Sequence, residues 1–238
     1  MTKINQGQVI VALDFPGKKE TMAFLDHFDR PIYVKVGMEL FYKEGPAIIR
    51  EIKDRGHKIF LDLKLHDIPN TVEMAMRSLA GLDVDMVNLH AQGGRAMMEA
   101  GLRGLEEASR AAGKTHPLLI AVTQLTSTSQ EVMNRELAIS GKLEDVVVHY
   151  AKLAKEAGLD GVVSSPLESP MIHEALGLDF LTVTPGVRFQ GQATQDQKRV
   201  TTPARAKELT SSYIVMGRAI TQASDPLAAY QEASRDFQ

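Results

Sequence analysis

Short apolar runs alternate with longer stretches of helical spacing from one end of the chain to the other. Residues 9–15, 33–38, 58–65, 86–90, 118–125, 161–164, 180–184 and 213–216 have the length and apolar content of strands. Between them, Met22, Leu25 and Phe28 fall on one helical face over 19–28, and Gly45-Pro46 opens a helix that Gly56 stops. Pro69 opens a helix over 69–80, with Asn70 and Thr71 in its first turn, and a glycine-flanked helix follows over 95–112. Thr128, Ser129, Gln130 and Glu131 read as a capping box. A helix over 143–157 halts at Gly158, a short one spans 169–176, and Thr202-Pro203 and Asp225-Pro226 open the last two. Strand and helix units in strict alternation, without a Pro- or Ser-rich linker, predict one α/β domain over 1–238, folded as a closed (β/α)8 barrel. An open doubly wound sheet is the alternative, but its Gly-x-Gly-x-x-Gly fingerprint is missing after the first strand. The polar, glutamine-containing stretch 187–202 is too long for an idle connection and reads as a lid or a disordered segment.

Composition narrows the chemistry. The 44% hydrophobic content is that of a globular protein, and no apolar run is long enough to span a membrane. With no apolar signal core before the first strand, a cytoplasmic protein is expected. Cysteine is absent, which removes disulfides, thiolate nucleophiles and cysteine metal sites. A net charge of −3 argues against a general nucleic-acid surface, though not against a local anion pocket. The 7 histidines show no His-Glu-x-x-His spacing, so no protein-only zinc site is expected.

Charge becomes informative where it interrupts the strands. Phe60, Asp62 and Lys64 share one face of the third strand by alternation, and Leu61, Leu63 and Leu65 the other. In a barrel, strand one then presents Asp14 at its C-terminal end, strand two Lys35, and strand three Asp62 and Lys64, with Asp67 in the loop beyond. A core salt bridge is the plainer reading of such charges, but buried ions need partners and rarely add net stability. Their convergence from three consecutive strands therefore favours a catalytic cluster. On the opposite rim, Arg188 follows strand seven and Gly217-Arg218 follows strand eight, where barrels often hold a phosphate.

These residues also carry a family likeness. Asp62-Leu63-Lys64-Leu65-His66-Asp67, continued by Ile68-Pro69-Asn70-Thr71, resembles the signature of the orotidine 5′-phosphate decarboxylase family. The likeness extends through Ala12-Leu13-Asp14, Val34-Lys35-Val36-Gly37, Thr123-Gln124-Leu125-Thr126-Ser127, Thr184-Pro185-Gly186-Val187-Arg188 and Met216-Gly217-Arg218, in the spacing of the bacterial form. It implies a cofactor-free carboxy-lyase that converts orotidine 5′-monophosphate to UMP and CO2, the last step of de novo pyrimidine synthesis. It implies Lys35, Asp62, Lys64 and Asp67 as a catalytic charge network, with Asp67 and Ile68 reaching the neighbouring site of a homodimer. Asp14 and Lys35 are implied at the ribose, Thr126 and Ser127 at ribose or pyrimidine, and Thr71 and Pro185 also against the substrate. Arg188, Gln197, Gly217 and Arg218 are implied at the phosphate; no metal, nucleic acid or membrane partner is implied. A Mg²⁺-dependent relative, 3-keto-L-gulonate 6-phosphate decarboxylase, shares Asp-x-Lys-x-x-Asp but has a glutamate where this chain has Lys35, a poor substitute for a Mg²⁺ ligand. A catalytically silent phosphate-binding barrel is the rival from another class, and the intact Asp62 and Lys64 argue against it.

Overall fold

A computed structural model describes residues 8–191 and 201–238. Eight parallel strands close into a barrel in sequence order: β1 (Gln8–Ala12), β2 (Tyr33–Gly37), β3 (Lys58–Leu65), β4 (Met86–His90), β5 (Leu118–Val122), β6 (Gly161–Val163), β7 (Leu181–Pro185) and β8 (Tyr213–Met216). The last strand pairs back onto the first, with Ile10 opposite Val215. Helices cover the outside: α1 (Lys18–Leu25), α2 (Met38–Glu44), α3 (Pro46–Asp54), α4 (Pro69–Ala80), α5 (Arg95–Ala111), α6 (Gln130–Arg135), α7 (Leu143–Glu156), α8 (Ser169–Leu176), α9 (Pro203–Glu208), α10 (Arg218–Thr221) and α11 (Pro226–Phe237). Among the described residues, no helix is long and apolar enough to cross a membrane.

Strand alternation sorts the buried apolar side chains into two layers. Ile10, Phe60, Met86, Ile120 and Val183 point into the barrel, while Val9, Val34, Leu61, Val87 and Leu119 pack outward against the helices. Tyr33 and Tyr213, the first residues of β2 and β8, meet edge to face at 6.0 Å. They fill the N-terminal end of the barrel, so an open cavity is left at the other end.

The predicted elements differ from the observed ones in a few places. β2 ends at Gly37, and α2 fills the stretch expected to be a plain connection before Gly45-Pro46. α6 is capped by Ser129, whose side chain accepts from the Val132 N–H, in place of a Thr128 cap; the Thr128 N–H is already turned back onto the Leu125 carbonyl. The alternation along β3 also breaks: its pairing with β4 jumps from Leu61↔Val87 to Leu65↔Leu89, a bulge that re-aims the strand end.

The helix after β3 is held against its neighbour by small residues. Gly101 and Gly104 on α5 face α4, and a Cβ on Gly104 would collide with the backbone carbonyl of Glu73. Glu73 also pairs with Arg103 at 2.7 Å, while Arg77 reaches Glu107 at 2.6 Å. Because α4 begins directly after the 66–68 loop, this packing anchors that loop. Gly104→Ala should therefore overpack the pair and lower unfolding stability by about 1–3 kcal/mol, measured as a shift in urea midpoint at unchanged slope; an unchanged midpoint would mean that the two helices are free to separate.

Candidate active site

Three strands bring four charged groups into one connected line. Lys35 Nζ lies 3.1 Å from Asp14 Oδ1 and 3.5 Å from Asp62 Oδ2, and Lys64 Nζ lies 2.6 Å from Asp62 Oδ1. Asp62 is the enclosed member, its side chain 11% exposed, whereas that of Asp14 is 63% exposed at the rim. The Asp14 contact is thus partly screened by water and weaker than the Asp62 contacts, which act in a low-dielectric setting.

Burial alone would push the Asp62 carboxyl upward, but Lys35 and then Lys64, with hydrogen bonds from Lys64 and Asn88, hold it below the ordinary aspartate value. Burial likewise pulls the Lys35 ammonium down, and Asp62 and then Asp14 outweigh it, leaving Lys35 above the ordinary lysine value. Both groups are therefore charged throughout the neutral range.

The backbone at Lys64 is unusual. Its φ is +53°, in the left-handed region that residues with a Cβ avoid, at a cost of about 1–3 kcal/mol. Asn88 on β4 supports it, accepting the Lys64 N–H at 2.8 Å and donating from Nδ2 to Asp62 Oδ1 at 2.7 Å. Neither the left-handed residue nor the role of Asn88 is visible in the β-type run 58–65.

The network forms one wall of a cavity of about 950 Å³ at the C-terminal end of the strands. Phe60, Val122, Val163, Val183 and Val215 make an apolar floor. Pro185 at the end of β7, Gly186 and Arg188 after it, and Gly217 and Arg218 after β8 line the side away from Lys64 in chain order. Gly186 has φ +87°, a conformation that favours glycine, whereas a Cβ on Gly217 would meet that of Ala12 at 3.6 Å, an ordinary contact. A second cavity of about 210 Å³, lined by Met38, Glu39 and Leu40, shares Asp14, Lys35, Asp62 and Lys64 with the first.

Of the residues singled out in the sequence, Asp14, Lys35, Asp62, Lys64, Thr126, Pro185, Arg188, Gly217 and Arg218 line the large cavity. Asp67, Ile68, Thr71 and Ser127 do not; they are exposed, with Asp67 Oδ1 accepting the Ile68 N–H at 2.6 Å. Gln197 lies outside the described residues. Besides Asn88, the sequence reading gave no role to Gln124, although it lies in the 123–127 stretch that carries the family likeness; it continues the inward face of β5 after Ile120 and Val122. It is 5% exposed and lines the cavity, and its Nε2 meets no acceptor among the described residues. Both are neutral amides; the signal for Asn88 is a polar residue on the inward face of an apolar strand, and Gln124 has in addition its place in the 123–127 stretch.

The family model described as Orotidine 5'-phosphate decarboxylase / HUMPS family matches residues 7–233. A protein of Bacillus cytotoxicus named orotidine 5'-phosphate decarboxylase is 62% identical over 231 residues, 97% of each chain. Its counterpart of the same name in Bacillus mycoides is 61% identical over the same share of both chains. Among solved structures, orotidine 5'-phosphate decarboxylase from Lactobacillus acidophilus superposes with a TM-score of 0.87 at 44% identity, covering 97% of this chain and 99% of its own. An uncharacterized conserved protein from Geobacillus kaustophilus gives the same TM-score at 50% identity, covering 97% and 100%.

Because the Asp62 carboxyl is lowered on folding, it stabilises the folded chain above the unfolded aspartate value of about 3.9 and loses that contribution as pH falls through its lower folded value. Asp62→Asn should therefore show a shallower loss of stability below about pH 4 than the parent chain, read as denaturant midpoints from neutral to acid pH. Parallel curves would show that Asp62 is not held ionised by its neighbours.

Proposed function

The chain belongs to the orotidine 5′-phosphate decarboxylase / HUMPS family, and we propose that its barrel decarboxylates orotidine 5′-monophosphate to UMP without metal or organic cofactor, Lys64 supplying the proton to C6. The observation that carries this reading is the unbroken Asp14–Lys35–Asp62–Lys64 line on the cavity wall. Lys35 stands within reach of both neighbouring carboxylates, so an ammonium fills the place where a Mg²⁺-dependent relative needs an anionic ligand. The setting is cytoplasmic, and the chain acts as one catalytic domain.

Loss of CO2 from C6 leaves a carbanion in the plane of the pyrimidine ring, where the carbonyl π system cannot absorb it. A fixed ammonium is the remedy: Lys64 stabilises the growing charge and then donates its proton to C6. One such pair at about 4 Å and an effective dielectric near 20 contributes roughly 4 kcal/mol, against total barrier reductions of about 8–23 kcal/mol in enzymes. Asp62 supplies part of the difference. Its carboxylate, kept ionised by two ammoniums, repels the substrate carboxylate, and that repulsion is released as CO2 departs.

The remaining contribution comes from remote binding. Arg188, Gly217, Arg218 and Gln197 take the 5′-phosphate, Asp14 and Lys35 the ribose hydroxyls, and Thr126 and Ser127 the ribose or pyrimidine. Binding energy gathered at the phosphate is then used to orient the ring over Lys64, so this end of the site affects kcat as well as affinity.

The active unit is a homodimer with shared sites. Asp67, Ile68 and Thr71 stand exposed beside their own cavity, with Ile68 66% exposed. Met38, at the start of α2, and Leu125, after β5, are exposed at the same end of the barrel. A partner docked on that end brings its Asp67 toward Lys64 and covers these groups.

Mixing the protein with orotidine 5′-monophosphate and a chelator should release CO2 and form UMP. No release from folded protein overturns the reading, and release only after Mg²⁺ is restored assigns the chain to the metal-dependent branch. The shared site has its own test. Lys64→Ala and Asp67→Ala proteins should each be nearly inactive, yet subunit exchange between them should restore about a quarter of parental activity, because half the dimers are mixed and each contains one intact site. Verified exchange without recovery would place Asp67 outside the partner's site.

A further inference from the structure

Asn88 is buried at 1% exposure between the two halves of the Asp62–Lys64 pair. The β3–β4 pairing passes from Leu61↔Val87 to Leu65↔Leu89, so Asp62, Leu63 and Lys64 all stand opposite this single residue. A regular ladder would satisfy the Lys64 N–H from the β4 backbone; here the Asn88 side-chain oxygen takes it at 2.8 Å. The same amide gives its Nδ2 to Asp62 Oδ1 at 2.7 Å, the oxygen that also receives Lys64 Nζ at 2.6 Å. A backbone N–H can only donate and an ionised carboxylate can only accept, so the carboxamide has one orientation that serves both.

We infer that Asn88 is a positioning residue, clamping the bulged, left-handed backbone of Lys64 and the carboxylate of Asp62 together so that the ammonium is aimed at the reacting carbon. This rests on Lys64 acting as the acid. A hydroxyl residue is too short to span both partners. Leucine has the size without either bond, and aspartate keeps the acceptor but sets a carboxylate against a carboxylate. Protonated aspartate, however, is an isostere of asparagine: one oxygen accepts from Lys64 and the O–H donates to Asp62. Other charged or titratable groups near the Asp62 carboxylate are Lys35 from β2 and Lys64 from β3, with Asp14 beyond Lys35, and His90 at the end of β4.

The experiment compares Asn88→Leu, Asn88→Asp and, as a control, Lys64→Ala, each assayed for kcat across pH and for UMP affinity. Asn88→Leu should lose about 10–100-fold in kcat, the equivalent of about one charge-assisted hydrogen bond, with UMP affinity within about 3-fold. Asn88→Asp should be impaired near pH 8 and regain activity toward about pH 6, since paired carboxylates share a proton at raised pH. That inverted pH profile is one that a merely structural contact would not produce, and it decides the matter alone if the leucine variant fails to fold. An inactive Lys64→Ala beside an Asn88→Asp enzyme with the parental pH profile, or a folded Asn88→Leu enzyme with parental kcat, overturns the role of Asn88 only. An active Lys64→Ala overturns the reading beneath it.

Discussion

A carboxylate held between two ammoniums in a nearly dry wall is the constraint on which this structure depends. Asp62 is enclosed, and a buried charge without partners is costly enough to be neutralised. Lys35 and Lys64 prevent that, and Asp62 in turn keeps Lys35 charged where burial would strip its proton. Removing either lysine takes from Asp62 a charge that holds its carboxyl low, and removing Asp62 takes from Lys35 the main charge that holds its ammonium up. The barrel makes such an arrangement possible because neighbouring parallel strands bring side chains from distant sequence positions to the same height, and the tyrosine-filled lower end resists collapse around them.

The cavity divides its tasks by distance along the strand order. Arg188 and Arg218 follow β7 and β8, while the ends of β1, β2 and β3 carry the Asp14–Lys35–Asp62–Lys64 network. The apolar floor from Phe60 to Val215 lies between, contributing no hydrogen bonds of its own and keeping water from screening the charges. On the proposed reading, binding and chemistry are drawn from different strand ends of one cavity, which a single molecule would span.

Much of this was legible in the sequence, for identifiable reasons. Proline and glycine punctuation fixed α4 at Pro69 and the stop at Gly56, and β8 fell at 213–216 as read, because a four-residue apolar run between turn formers allows little else. Alternation gave Asp62 and Lys64 a common side, and they do share a wall, though through a bulge and a left-handed residue rather than a regular strand. Other features were hidden. α2 is too short and too close to a glycine for its period to register. The cap of α6 depended on which of two adjacent hydroxyl residues was free of the preceding turn. Asn88 is an ordinary polar residue until the strands on either side are known, and Gln124, though inside a stretch that carries the likeness, shows its place in the cavity only once β5 is aligned with its neighbours.

The left-handed backbone at position 64 sets folding and chemistry against each other at one residue. Glycine or asparagine would sit there with less strain than lysine, and neither carries an ammonium. Either would relieve the backbone but leave the enclosed Asp62 with one ammonium in place of two, so a library at this position selected for heat resistance alone would weigh a relaxed backbone against a weakened ion pair.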